Sequence, residues 1–268
     1  MAQAVPQIAA LNAPLSWRTV DFISDLHLQA SEPATFAAWT HYMQSTSASA
    51  LFILGDLFEA WVGDDVIHLD SGINALCFEA QCAQTLRQTA DRLPVFFMHG
   101  NRDFLVGSGL MNRCNATLLA DPTVLVFKAQ PDLTNQRWLL SHGDALCVDD
   151  VEYMHFRQQV RSIKWQQDFL AKPLAERQAI ARALRQNSEN KKKSVLAYAD
   201  VDAATALQWL LSAEAHVLIH GHTHKPAVHD LDGNHQRIVL SDWDAQAAPP
   251  RAQVLRLSSQ GLQRIDLL

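Results

Sequence analysis

Five short polar clusters punctuate this 268-residue chain, and each follows an apolar run with the texture of a β-strand. They are Asp25-Leu26-His27, Gly55-Asp56, Gly100-Asn101-Arg102-Asp103, Ser141-His142-Gly143-Asp144 and Gly221-His222-Thr223-His224. Strand ends are where α/β and layered β architectures gather distant residues into one place. Asp, His and Asn are also suitable ligands for hard or borderline divalent metals. The recurrence constrains the fold more than any other feature, because it requires several strand ends to meet at one edge.

Short apolar runs rich in β-formers predict strands at residues 19–23, 51–54, 95–98, 124–127, 138–140 and 217–219. Helical spacing predicts helices at 33–44, with Pro33 near the first turn, and at 73–92. Past Lys225 the texture changes to hairpins, 228–231 with 237–240 and 254–257 with 262–267. Alternating strands and helices followed by hairpins predict an α/β (α+β) sandwich, with a mixed sheet pair inside and helices outside. The segment to Ser16 has no clear period and reads as an N-terminal extension, residues 1–16, leaving one domain over 17–268.

Composition excludes several classes. The net charge of −6 argues against a nucleic-acid partner, which leaves a basic footprint. The four cysteines, Cys77, Cys82, Cys114 and Cys147, form no Cys-x-x-Cys pair and read as reduced thiols. The first seventeen residues hold no Lys or Arg, so the positive region of a signal peptide is missing, and no apolar run could span a bilayer. The cytoplasm is the expected compartment.

One interval breaks the pattern. Residues 155–195 show no strand and hold ten Lys or Arg against three acids, a local +7 that leaves −13 for the rest. The interval reads as a helical cap inserted at about 152–197, whose cationic surface would draw anionic ligands. Its apolar residues Ile163, Trp165, Phe169, Leu170, Leu174, Ile180 and Leu184 fit packing against the core or contact with acyl chains or an anionic bilayer.

In an extended chain residues i and i+2 share a side, so Asp25 with His27, and His222 with His224, can each face one ion. Two cations about 3.5–4 Å apart can neutralise a phosphoester and hold a hydroxide for in-line attack. So close a pair needs a shared carboxylate. Asp56 suits that role, because Gly55 beside it permits close backbone approach. Asn101, His142, His222 and His224 are neutral ligands and leave net positive charge for the substrate.

The ordered set Asp-x-His, Gly-Asp, Gly-Asn, His, Gly-His-x-His, spanning Asp25 to His224, resembles the calcineurin-like metallophosphoesterase family. The resemblance implies a four-layer sandwich. It also implies one ion on Asp25, His27, Asp56 and His224 and another on Asp56, Asn101, His142 and His222. The broad family places His after Gly-Asn; here the residue is Arg102. Arg cannot release a proton near neutral pH, but it can grip phosphate with a fixed fork of donors. That suits a leaving group that is already good, such as a phosphate monoester leaving a diphosphate.

This departure, with the stretches 54–65 and 220–229, is similar to the UDP-2,3-diacylglucosamine diphosphatase branch of lipid A synthesis. The branch implies two Mn2+ ions per chain, release of UMP and 2,3-diacylglucosamine 1-phosphate, and a cap that shelters acyl chains. It implies Asn101 and Arg102 as catalytic residues. Substrate contacts would come from Asn101, Arg102, Asp150, Ser188, Asn190, Lys193 and His222. It also implies peripheral attachment to the anionic cytoplasmic face of the inner membrane, with no obligate protein partner. Two alternatives stand beside it: another dinuclear metallophosphoesterase acting on nucleotides or soluble phosphodiesters, and a metal-binding scaffold without catalysis.

Overall fold

The computed structural model describes residues 5–68, 76–128, 136–194 and 200–268, with only the backbone described for 187–194. Its first sheet is built on three parallel central strands, β2 (Val20–Ile23), β3 (Ala50–Leu54) and β4 (Val95–Met98). β5 (Thr117–Leu119) extends it on one side, and the hairpin β11 (Gln253–Ser258) and β12 (Gly261–Asp266) on the other, in the order β12-β11-β2-β3-β4-β5. The second sheet holds β1 (Ala9–Asn12), β6 (Thr123–Phe127), β7 (Gln136–Leu140), β8 (Val217–His220), β9 (Ala227–Asp230) and β10 (Gln236–Val239), in the order β1-β6-β7-β8-β10-β9. Both sheets mix parallel and antiparallel pairs.

Apart from Asp21 in β2, the central strands are apolar because both of their faces are covered. Val20, Phe22, Phe52, Leu54, Phe96 and Met98 point between the sheets, against Leu125, Phe127, Leu140 and Ile219. Ile23, Leu51, Ile53, Val95 and Phe97 point the other way, towards α1 (Pro33–Ser45), α2 (Phe78–Ala90) and α3 (Ser108–Cys114). On the far face Val124, Leu139 and Leu218 meet Ala206, Trp209 and Leu210 of α7 (Ala203–Ala213). Helices, sheet, sheet and helix make the expected four-layer sandwich. Each buried Leu, Ile or Phe contributes about 1.5–3 kcal/mol, and a one-residue slip would turn every one to the wrong face.

The structure corrects the reading at several points. Within the segment read as an extension, residues 1–16, Ala9–Asn12 form β1, which pairs in parallel with β6 at a sheet edge. Four residues without strict alternation were too short to show a period. The strand β5 and the helices α3 and α7 also went unforeseen. The helix expected at 73–92 starts at Phe78; residues 69–75 lie outside the described residues.

The interval 151–194 forms α4 (Val151–Val160), α5 (Ile163–Leu170) and α6 (Leu174–Ser194). Trp165, Phe169, Leu174 and Ile180 pack on the helical-side core, with Trp165 stacked on Phe169 at 4.8 Å. Ile163, Leu170 and Leu184 are exposed. The cationic surface is smaller than its charge count suggests, because four of its arginines turn inward. Arg157 and Arg161 meet Asp144, Arg177 meets Asp65, and Arg185 meets Glu59. The cap is therefore pinned to the core by buried and half-buried ion pairs.

Candidate metal centre

The polar clusters follow β2, β3, β4, β7 and β8 at the same edge of the sandwich. Asp25, His27, Asp56, His222 and His224 all adopt positive φ, between 49° and 68°. The extended i, i+2 geometry expected for the two pairs is therefore not the one adopted. Left-handed backbone at a non-glycine residue costs roughly 1–3 kcal/mol and persists only where its surroundings over-determine it. Here they do. Asp25 N donates to Gly55 O (3.1 Å), His27 N to Asp56 O (3.0 Å) and Leu28 N to Leu57 O (2.9 Å), so the loops after β2 and β3 run side by side. The Asp103 carboxylate accepts Gly100 N and Leu57 N, both at 2.8 Å, and Asp56 N and Phe58 N at 3.3 Å. Asp103 thus shapes the loops behind the donors.

Glycine lets these loops touch. A Cβ on Gly55 would lie 2.5 Å from His142 Nδ1, and one on Gly100 2.0 Å from Asp56 Oδ1. The expectation that Gly55 permits close approach at Asp56 is met, and Gly100 does the same from the opposite side.

All seven predicted donors converge. His27 Nε2 lies 3.2 Å from His224 Nε2 and 3.9 Å from Asp56 Oδ2. His224 Nε2 is 3.4 Å from Asp25 Oδ1, and His142 Nε2 is 3.7 Å from Asp56 Oδ2. Asn101 Oδ1 sits between His142 Nε2 (3.0 Å) and His222 Nδ1 (2.8 Å). Asp25, His27 and His224 offer donor atoms within 4.8 Å of one another, as do Asp25, Asp56 and His142. Asp25, Asp56 and His142 are buried.

Burial pushes His27 down to about 4 and His222 down to about 3, which keeps both imidazoles neutral. Burial also opposes charge on His142, but Asp56, Asp25 and Asp144 outweigh it and push that group up to about 9. Burial would raise Asp25, yet its hydrogen bond to His224, with His142 and His27 nearby, holds it well below the usual carboxylate range. Neutral His27 and His222 beside an ionised Asp25 are donor states that metal binding requires.

Arg102 donates its backbone N–H to Asp56 Oδ1 (2.8 Å) and, with Arg185 and Arg251, lines a cavity of about 200 Å³ beside His27 and His224. Asp150 is exposed and caps α4, accepting Tyr153 N at 2.9 Å. The side chains of Ser188, Asn190 and Lys193 lie outside the described residues. Several neighbours escaped sequence reasoning. Glu59 Oε2 lies 3.1 Å from His27 Nδ1, although out of line for a hydrogen bond, and Asp242 Oδ2 lies 3.8 Å from His224 Nδ1. The Tyr153 ring stacks 6.0 Å from His222, and its hydroxyl donates to Asp144 at 2.5 Å. Glu59 follows Asp56 at a spacing that could have flagged it; Tyr153 carries no such signal.

Comparison with known proteins agrees with this architecture. The calcineurin-like phosphoesterase family model matches residues 18–226. A Bordetella pertussis protein named UDP-2,3-diacylglucosamine hydrolase is 42% identical over 267 residues, covering 97% of each chain. A protein of the same name from Chromobacterium violaceum is 44% identical over 257 residues, covering 92% of this chain and 98% of its own. Among solved structures, an archaeal phosphodiesterase aligns over 92% of this chain and 99% of its own at 10% identity, with a TM-score of 0.46. With its strand-end donors and a match over most of its length, the chain belongs to the calcineurin-like phosphoesterase family.

Proposed function

We propose that this chain hydrolyses the diphosphate of UDP-2,3-diacylglucosamine to UMP and 2,3-diacylglucosamine 1-phosphate in lipid A synthesis. The observation that carries the reading is the complete donor set beside an Arg at position 102, in a chain 42–44% identical over nearly full length to relatives named for that substrate.

The donor set suits two divalent ions, which we assign as Mn2+. Asp25, His27, Asp56 and His224 would hold one, and Asp56, Asn101, His142 and His222 the other. Two imidazole nitrogens facing each other at 3.2 Å fit a site built around cations. When bound, such ions supply Lewis acidity and a nucleophilic water at neutral pH. Asn101 and Arg102 are the catalytic residues in this reading. Arg102 would bind phosphate oxygens with its fork and neutralise charge on the departing phosphate, which needs no proton. Asp150, Ser188, Asn190, Lys193 and His222 are assigned to the sugar and phosphate of the substrate.

Exposed Ile163, Leu170 and Leu184 on the cap support shelter of acyl chains or contact with an anionic membrane. No helix among the described residues is long and apolar enough to cross a membrane. On the strength of those exposed cap residues and the lipid substrate, we place the protein at the cytoplasmic face of the inner membrane as a peripheral enzyme. The deciding experiment incubates purified protein and Mn2+ with UDP-2,3-diacylglucosamine and with soluble phosphodiesters. UMP release from the lipid, exceeding turnover of the soluble compounds, is expected; the reverse order would falsify the assignment.

A further inference from the structure

His220, the residue before Gly221, is fully buried and does not belong to the donor set. Its Nδ1 lies 2.9 Å from Gly221 O, and its Nε2 lies 3.4 Å from Arg237 Nη1. Arg has no acceptor atom and stays protonated, so it must donate to Nε2. That fixes His220 as the tautomer with hydrogen on Nδ1, which donates to Gly221 O. The same carbonyl accepts Thr223 N at 2.8 Å, closing a three-residue turn with His222 at its centre and φ at 68°. Turns of this kind with positive central φ are rare and strained. His220 thus supplies a second donor to the carbonyl on which the turn closes.

The imidazole also lies beneath the other histidine loop. A Cβ on Gly143 would come 2.9 Å from His220 Nδ1, and Gly143 follows His142 directly. Gly221 N donates to His142 O at 2.9 Å, so the turns bearing His142 and His222 are tied together above this one ring. Arg237 is itself buried on β10 and held by both carboxylate oxygens of Asp200, at 3.3 and 3.0 Å.

We propose that His220, oriented by Arg237 and Asp200, is a positioning residue that sets the directions of His142 and His222 towards the second metal. The inference deepens the metal assignment above but does not depend on the identity of the substrate.

The test is titration of the metal-free protein with Mn2+ alone, for the wild type and for His220→Leu, His220→Asn and Arg237→Met, followed by kcat and KM on the lipid diphosphate. Asn can place an amide N–H near the position of Nδ1; Leu cannot. His220→Leu should weaken Mn2+ binding by roughly 10–100-fold and lower kcat with KM little changed, as loss of an orienting partner does. His220→Asn should recover most of that loss, and Arg237→Met should show a smaller, several-fold weakening. A folded His220→Leu that binds Mn2+ like the wild type, or an Asn variant no better than Leu, overturns the proposal. If His220→Leu does not fold, Arg237→Met decides: unchanged Mn2+ affinity overturns it, weakened affinity upholds it. A wild type that binds two Mn2+ but leaves the lipid intact would remove the proposed substrate without touching this role.

Discussion

The carboxylate of Asp25 accepts the backbone N–H of His222, with Oδ2 2.9 Å from the nitrogen, and so joins the end of β2 in one sheet to the end of β8 in the other. The contact is possible because Gly221 has no side chain: a Cβ there would sit 2.2 Å from Asp25 Oδ2 and 2.3 Å from Ser24 Oγ. Gly221→Ala must push Asp25 or the His222 turn out of place. A loss of activity of at least about 100-fold is expected, in line with the effect of a 1 Å misplacement in a catalytic site. Melting temperature should change much less than activity. Mn2+-dependent turnover and a thermal melt check both; wild-type turnover would contradict the geometry.

The seven donors were legible because each sits within a few residues of an apolar strand, so short motifs alone placed them. The sandwich was legible for a related reason: β2, β3 and β4 are covered on both faces and therefore read as apolar runs, broken only at Asp21. What escaped was set by contacts between distant segments. Thr117–Leu119 is a short edge strand with partly exposed residues, and Ala203–Ala213 has a helical period that only its packing on β7 and β8 makes decisive. The cap's +7 looked like a free cationic face, yet Arg157, Arg161, Arg177 and Arg185 are matched by acids from other parts of the chain. Likewise, the left-handed backbone at Asp25 and His27 comes from the β3 loop lying against theirs.

Arg177 holds the cap to the core. It is 3% exposed and donates to Val62 O (2.6 Å), Asp65 Oδ1 (2.9 Å) and Lys172 O (3.0 Å). Removing these charge-assisted bonds leaves two carbonyls without their donor, so Arg177→Met should destabilise by about 2–4 kcal/mol. The opening should be local: amide exchange should quicken across 163–186, while Val95–Met98 stays protected. Lys164→Ala, which removes an exposed pair with Asp168, should leave exchange unchanged.

A buried charge interrupts the apolar strand β2. Asp21 is fully buried and accepts Tyr42 Oη (2.8 Å), Thr46 Oγ1 (3.0 Å), Arg256 Nε (2.7 Å) and Arg256 Nη2 (2.8 Å). It thereby ties β2 to α1 and to its sheet neighbour β11. Arg256→Met leaves that carboxylate without its counter-ion, and a loss of about 3–5 kcal/mol is expected in denaturant melts. Adding Asp21→Leu to the same chain should recover part of the loss, since the pair is then replaced by apolar groups. A double variant less stable than Arg256→Met would show that the bonds to Tyr42 and Thr46 outweigh the unpaired charge.

Metal should stabilise the folded chain, because the donors meet only when strand ends from both sheets are in place. A ligand at 100 times its dissociation constant adds about 2.7 kcal/mol to a state that binds it exclusively. For a chain of this length each kcal/mol moves the melting temperature by roughly 2–4 °C, so each Mn2+ site filled at that level should raise it by roughly 5–11 °C. A chelator should reverse the shift. Asn101→Ala removes the oxygen between His142 and His222 and should cut the shift, while Lys164→Ala should leave it intact. Scanning calorimetry with and without Mn2+ measures each difference. An Asn101→Ala protein that gains as much from Mn2+ as the wild type would place the ion away from these histidines.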